Sequence, residues 1–364
     1  MTEVRTRGGR RRTEETRQGR RDAGAALQER RGEGESAREQ RRERGTSRGR
    51  RGVRAVLAVL VTAAVVVPLT AAARPPIPAP APATLAPLTA ATLEEAYAAN
   101  RANAALASRM AAAHGDRHRA AADRALAAPS RRLLSFDGRG AGRAVEVFGD
   151  LAHADRVAVL VPGSDTSVDT YERFRAGAAA LHERLTREGA APRTAVVAWL
   201  GYTTPGTIST TAITPDRADE AAPDLREFLR ELSAVTGPGS RVTLLCHSYG
   251  SVVCGRAAPH LEVADLVLLG SPGTGAESAA DLRTRALVWA GRGADDWVAD
   301  VPHVSADLFG TTVGFGTDPL SPSFGAHVFA AGAGGHSDYF KPGSVSLANI
   351  ARIVLGRTSE VTGA

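Results

Sequence analysis

Val242-Thr-Leu-Leu-Cys246-His-Ser248-Tyr-Gly250-Ser251 is the stretch on which the fold turns. Residues 242–245 form a short apolar run suited to a central parallel strand, and Val252-Val253-Cys254 opens a segment that can continue as a buried helix. Between them lies a tight turn of small residues carrying Ser248. The pattern is that of a serine on a strand-to-helix elbow, G-x-S-x-G, in which bulky neighbours would collide. Cys246 stands at the first glycine position, so the match here is C-x-S-x-G. A serine so placed is a candidate nucleophile; the plainer reading is a chance Ser-Gly turn.

Working outward, the composition is uneven. Residues 1–54 hold 18 Arg against 9 acidic side chains, while the rest of the chain is slightly acidic, so the overall charge of +6 belongs to this tail. With almost no apolar content, segment 1–54 is expected to be disordered. No aromatic residue interleaves its charges to stack on bases, so nucleic-acid binding is not expected. Residues 55–73 follow without a charge, long enough to cross a bilayer, and the arginines before them would set the N-terminal side cytoplasmic. The expectation is a single-pass membrane protein with its C-terminal domain extracytoplasmic. The alternatives are secretion after cleavage near Ala73 and a true start near Val53. Residues 74–91, rich in Pro and Ala, read as a polyproline spacer without chemistry of its own. The two cysteines, Cys246 and Cys254, are expected as buried free thiols, because a bridge would have to cross from strand end to helix. They offer no zinc spacing, and no metal or organic cofactor is expected.

Segment 92–130 is Ala-rich with helical spacings of Leu93, Tyr97, Leu106 and Met110, broken near Gly115 into two helices. Beyond it, in 131–357, short apolar runs alternate with amphipathic segments, the signature of a parallel sheet with crossover helices. The runs lie at 132–136, 145–148, 157–161, 195–200, 242–246, 266–269, 286–289 and 326–330. Eight strands with the serine after the fifth is the plan of an α/β-hydrolase: a mostly parallel eight-stranded sheet with helices on both faces. Ligands of such sheets bind beyond the C-terminal strand ends. Pro162-Gly163-Ser164 follows the third run, Asp295-Asp296 the seventh, and His336 the eighth. The order Ser, Asp, His is the one this fold keeps.

Three stretches together, Cys-His-Ser248-Tyr-Gly-Ser, Leu269-Gly-Ser-Pro-Gly-Thr274 and Gly335-His-Ser-Asp-Tyr-Phe340, resemble the DUF1023 family of actinobacterial α/β-hydrolases. The resemblance covers about residues 130–356 and implies an α/β-hydrolase fold and a serine hydrolase of unstated substrate. It implies Ser248 as nucleophile, His336 as base, and one of two adjacent aspartates as the acid. Asp296 is preferred because Asp-Trp-Val-Ala-Asp-Val-Pro302 resembles the usual acid followed by an apolar pair; Asp295 is the alternative.

On this reading His336 relays the serine proton, Asp296 fixes the imidazole, and the N–H groups of Ser164 and Tyr249 hold the oxyanion. His247 is expected to point away from the active face as a hydrogen-bonded structural residue. His303 and His327 are weaker bases by position, Asp338 is too close in sequence to serve His336, and Asp165 is expected to cap a turn. Segment 199–205 and the loop 309–324 sit where substrate approaches, the latter as wall or lid. Too few residues separate the sixth and seventh runs for a cap domain. The leading expectation is an exported, membrane-tethered serine hydrolase of an ester, thioester or amide, with a small-molecule or lipid-like acyl substrate. An acyltransferase with the same acyl-enzyme, or a non-catalytic hydrolase-fold binding protein, are the alternatives.

Overall fold

A computed structural model describes residues 76–189, 192–207, 214–301, 305–308 and 311–364. The expected tail 1–54 and apolar segment 55–73 lie outside the described residues, as does His303. Among the described residues no helix is long and apolar enough to cross a membrane.

Two helices come first, α1 (Leu93–His114) and α2 (Arg117–Leu126), separated where Gly115 turns left-handed with φ 92°. The strands are β1 (Leu133–Asp137), β2 (Arg143–Phe148), β3 (Arg156–Val161), β4 (Thr194–Leu200), β5 (Arg241–His247), β6 (Asp265–Leu269), β7 (Leu287–Gly291), β8 (Ser305–Leu308), β9 (Thr311–Gly314) and β10 (His327–Val328). Eight of them form one sheet in the order β1-β2-β4-β3-β5-β6-β7-β10, each within a few residues of an expected run. The β1/β2 and β2/β4 pairs are antiparallel and every other pair is parallel. Strands β8 and β9 pair apart from it as an antiparallel ribbon, β9 within the loop expected at 309–324 and β8 just before it.

Alternate side chains of the central strands feed two cores. Val157, Val159, Leu244 and Cys246 pack on one face, under α4 (Asp216–Thr236) and α5 (Gly250–Ala257). Ala158, Leu160, Leu245 and Val267 pack on the other, under α3 (Tyr171–Arg187) and α6 (Val345–Leu355). Burial on both faces is why these strands read as unbroken apolar runs rather than alternating ones. The β1 margin is covered by α1. The buried Asn100 side chain donates to the carbonyls of Leu133 (3.1 Å) and Leu134 (2.9 Å), satisfying backbone groups an edge strand would leave open.

Two expectations are corrected. Residues 76–90 are not a free spacer: Ala79 packs into the α3 and α6 core, and Asn103 donates to the Ala81 carbonyl at 2.9 Å. Cys246 and Cys254 are not free thiols but a disulfide, with their Cα atoms 6.4 Å apart. The turn at Ser248 reverses the chain so that α5 runs back along β5, which brings residue 254 over the strand end. The crossing from strand end to helix, expected to prevent a bridge, is short once the chain reverses.

Candidate active site

The elbow is built from strand pairing and one strained residue. β5 lies between β3 and β6, and the Ser248 N–H is held by the Leu269 carbonyl at 2.9 Å. Ser248 itself adopts φ 54°. For a side chain with a Cβ this left-handed conformation costs about 1–2 kcal/mol, a form of strain that collects at functional sites. The turn aims the hydroxyl out of the sheet edge, and the Cys246–Cys254 disulfide clasps the two arms of the elbow.

Ser248 Oγ lies 2.9 Å from His336 Nε2, and His336 Nδ1 lies 2.9 and 3.1 Å from the two Asp296 carboxylate oxygens. Asp295 is exposed, whereas Asp296 is buried at 2 % exposure. Burial pushes the Asp296 carboxyl upward, but hydrogen bonds from His336, the Tyr339 hydroxyl and the Val298 N–H outweigh it and hold it down at about 2. It is therefore an ionised acceptor at neutral pH. On the opposite side of the serine, Gly163 comes so close that a Cβ there would lie 2.6 Å from Ser248 Cβ. The next N–H, that of Ser164, and that of Tyr249 have no carbonyl partner among the described residues. Ser164 follows Gly163, Tyr249 follows Ser248, and both line the same cleft as the serine. Tyr202, buried rather than facing substrate, donates to the Pro162 carbonyl at 2.7 Å and so fixes this loop; Trp199 stacks on its ring.

Several participants were missed in the sequence. Tyr339 is buried; its hydroxyl donates to Asp296 and accepts from the Gly293 N–H at 3.2 Å. Burial, then the Asp296 hydrogen bond, push its phenol far above the ordinary value, so it remains a donor. Its only sequence signal was its place three residues after the candidate histidine. Gly270, with φ 52°, leaves room for this cluster: a Cβ there would lie 2.6 Å from Asp296 Oδ2 and 3.1 Å from His336 Nδ1. His247 is corrected in direction. Rather than pointing away, it lines the cleft, lies with its ring tilted 4.6 Å from that of His336 and donates from Nε2 to the His336 carbonyl at 2.6 Å. Burial, then the neighbouring His336, lower its pKa to about 4, so the ring is neutral at pH 7 and keeps the proton on Nε2.

The remaining expectations sort by position. Asp338 accepts from the Gly335 N–H at 3.0 Å, and Asp165 from the Thr207 N–H at 3.1 Å. His327 lies on β10 against Trp289, 5.0 Å between rings. From the loop expected as a wall, Phe315 lines the cleft edge-on to Tyr249. No group of three or more His, Cys, Asp or Glu able to hold a metal ion occurs among the described residues. The cleft has a volume of about 1250 Å³, and Ser248, His336, Gly163, Ser164 and Tyr249 all line it.

Strand order, crossovers and the elbow define an α/β-hydrolase fold. A family model described as alpha/beta hydrolase matches residues 137–306, which include Ser164, Ser248 and Asp296 but end before His336. This description is broader than DUF1023, whose resemblance rests on the motifs alone. An uncharacterized protein of Mycobacterium tuberculosis is 33 % identical over 245 residues, covering 60 % of this chain and 37 % of the relative. An uncharacterized protein of Mycobacterium bovis is 34 % identical over 169 residues, covering 43 % of this chain and 63 % of the relative. The chain thus spans from about a third to under two thirds of the length of these relatives. Among solved structures, an α/β serine hydrolase without lid from Xanthomonas campestris superposes with TM-score 0.40 at 18 % identity, covering 63 % of this chain and 95 % of that one. The esterase PE8 gives TM-score 0.39 at 16 % identity, covering 57 % and 95 %.

Proposed function

We propose that the chain is a serine hydrolase of carboxylic esters, working through an acyl-enzyme on Ser248. The observation that carries this reading is the continuous path from Ser248 Oγ through His336 to Asp296, each step 2.9 Å. In the reaction, His336 Nε2 takes the hydroxyl proton as Oγ attacks the ester carbonyl carbon. The oxygen that becomes negative is met by the N–H groups of Ser164 and Tyr249, a contribution whose removal typically costs about a hundredfold or more. Collapse breaks the bond to the leaving alkoxide, which receives the proton from His336. Water, deprotonated by the same nitrogen, then attacks the acyl carbon and restores Ser248. Asp296, ionised, holds the imidazole tautomer and balances the imidazolium, and Tyr339 with the Val298 N–H holds Asp296.

The scaffold reading would have Asp296 and His336 apart, and their 2.9 Å separation gives it no support. We place the domain outside the cytoplasm, tethered through residues 55–73. The disulfide beside the nucleophile supports this, because such bonds persist in oxidising compartments. A fluorophosphonate probe tests the chemistry. It should label Ser248, and Ser248→Ala should lose both the label and aryl-ester hydrolysis while unfolding at the same temperature. Folded wild-type protein that takes no label refutes the reading.

A further inference from the structure

The cleft is far larger than the reacting atoms need, and its walls differ in character. Phe174, Phe340, Trp297, Val298 and Phe315 make it predominantly apolar. Trp297 stands at its mouth, 51 % exposed, with its ring 4.7 Å from that of His336. Half-exposed aromatic side chains of this kind suit a ligand with an apolar body and a wet end.

Two cations interrupt the apolar lining, Arg173 and Lys341. They belong to one stretch of wall. Phe340 packs on α3 so closely that a Cβ on Gly177 would lie 3.3 Å from its ring, Arg173 is one helical turn before Gly177, and Lys341 follows Phe340. Both are exposed, and neither has an acidic partner among the described residues. The cleft also holds two carboxylates, Asp165, which accepts from the Thr207 N–H, and Asp338, which accepts from the Gly335 N–H; among the described residues neither forms an ion pair with Arg173 or Lys341. Lys341 is moreover the chain's one lysine among 45 basic residues, so it is not there through general usage. An ammonium on a flexible stem is a compact charge able to follow a headgroup.

We propose that the cleft takes esters of anionic amphiphiles, with an apolar chain along the Phe174, Phe340 and Trp297 walls and a carboxylate, sulfate or phosphate group at Arg173 and Lys341. This rests on the reading of Ser248 as acyl acceptor and names the substrate class of that site. Exposed charge pairs are individually weak, so two together should give about a threefold to tenfold preference.

The test compares 2-nitrophenyl hexanoate with two anionic counterparts, one bearing a carboxylate at the far end of the acyl chain and one a sulfonate on the leaving phenol. In the Arg173→Ala, Lys341→Ala double variant, the ratio of anionic to neutral kcat/KM should fall about threefold to tenfold for at least one of them. Added salt should shrink the same ratio in the wild type. A fall confined to the carboxylate ester puts the acyl terminus at the rim; one confined to the sulfonate puts the leaving group there. Ratios identical in wild type and double variant for both anionic esters overturn the proposal, even with Ser248 active. Should Ser248 take no probe and no ester turn over, the hydrolase reading fails separately. Decyl phosphate and decanol, titrated against tryptophan emission, then decide the rim: tighter decyl phosphate binding, weakened in the double variant, supports it, and equal affinities overturn it.

Discussion

Opening the Cys246–Cys254 disulfide removes a cross-link that closes a loop of eight residues. In the chain-entropy description, such a loop restrains the unfolded state by about 2.5 kcal/mol at 25 °C. Unfolding entropy near 2 cal/mol/K per residue gives roughly 0.6 kcal/mol/K for the unit 76–364, so reduction should lower its Tm by about 4 °C. The effect should reach the chemistry as well. Ser248, at φ 54°, sits two residues past Cys246, and the clasp over both arms of the elbow opposes relaxation of that strained turn. The assay is thermal unfolding and aryl-ester turnover with and without reductant, repeated on Cys246→Ala, Cys254→Ala. The double variant should ignore reductant and unfold below the oxidised wild type. Two free thiols titrating in unfolded, untreated protein, or a wild-type Tm indifferent to reductant, would refute the reasoning.

Tyr339→Phe removes one of the donors that keep Asp296 ionised and leaves the buried Gly293 N–H without its acceptor; kcat/KM should fall about tenfold with a lowered Tm, and unaltered kinetics would reduce Tyr339 to packing. Asp123, at 1 % exposure, has both carboxylate oxygens without hydrogen-bond partners among the described residues, and burial raises its pKa to about 7. The folded state therefore holds a proton that the unfolded state releases near pH 4, so stability falls as pH rises from 4 through 7. Asp123→Asn should be the more stable protein at pH 8, by on the order of 2–4 kcal/mol, with the gain vanishing toward pH 4 in denaturant titrations; a gain independent of pH would refute this.

The sheet could be read from the chain because its central strands are buried on both faces, so each announces itself as an apolar run bounded by turns. The positions of Ser248, Asp296 and His336 were legible because a parallel sheet delivers all its strand ends to one edge, and the order of residues along the chain then becomes an order of places. What supports them was not legible. Tyr339 reaches Asp296 through the fold of a loop, and no periodicity encodes a loop's path. His247 was assigned to the wrong side because alternation along a strand stops being a guide at the last residue, where the backbone is already turning. The disulfide was missed for a related reason: the crossing from strand end to helix is short once the chain turns back at the elbow. Trp199 lies near the end of β4 and Tyr202 just beyond it, yet both are buried, since the loop there folds back to brace Pro162. Residues 76–90 show that a Pro-rich composition fixes local stiffness and not whether the segment finds a surface.

The cover of α1 over β1 bears on where this protein can be cut. The region matched by the family model starts at residue 137, beyond both α1 and nearly all of β1. A fragment trimmed to that stretch would present β2 as a bare margin of unpaired amides and carbonyls, a template for another copy to extend. Proteolysis between α2 and β1 would strip Asn100 from the same margin. Residues 93–132 would thus guard that margin against pairing with another copy, and a fragment carrying the sheet is expected to stay monomeric only if it begins before Leu93.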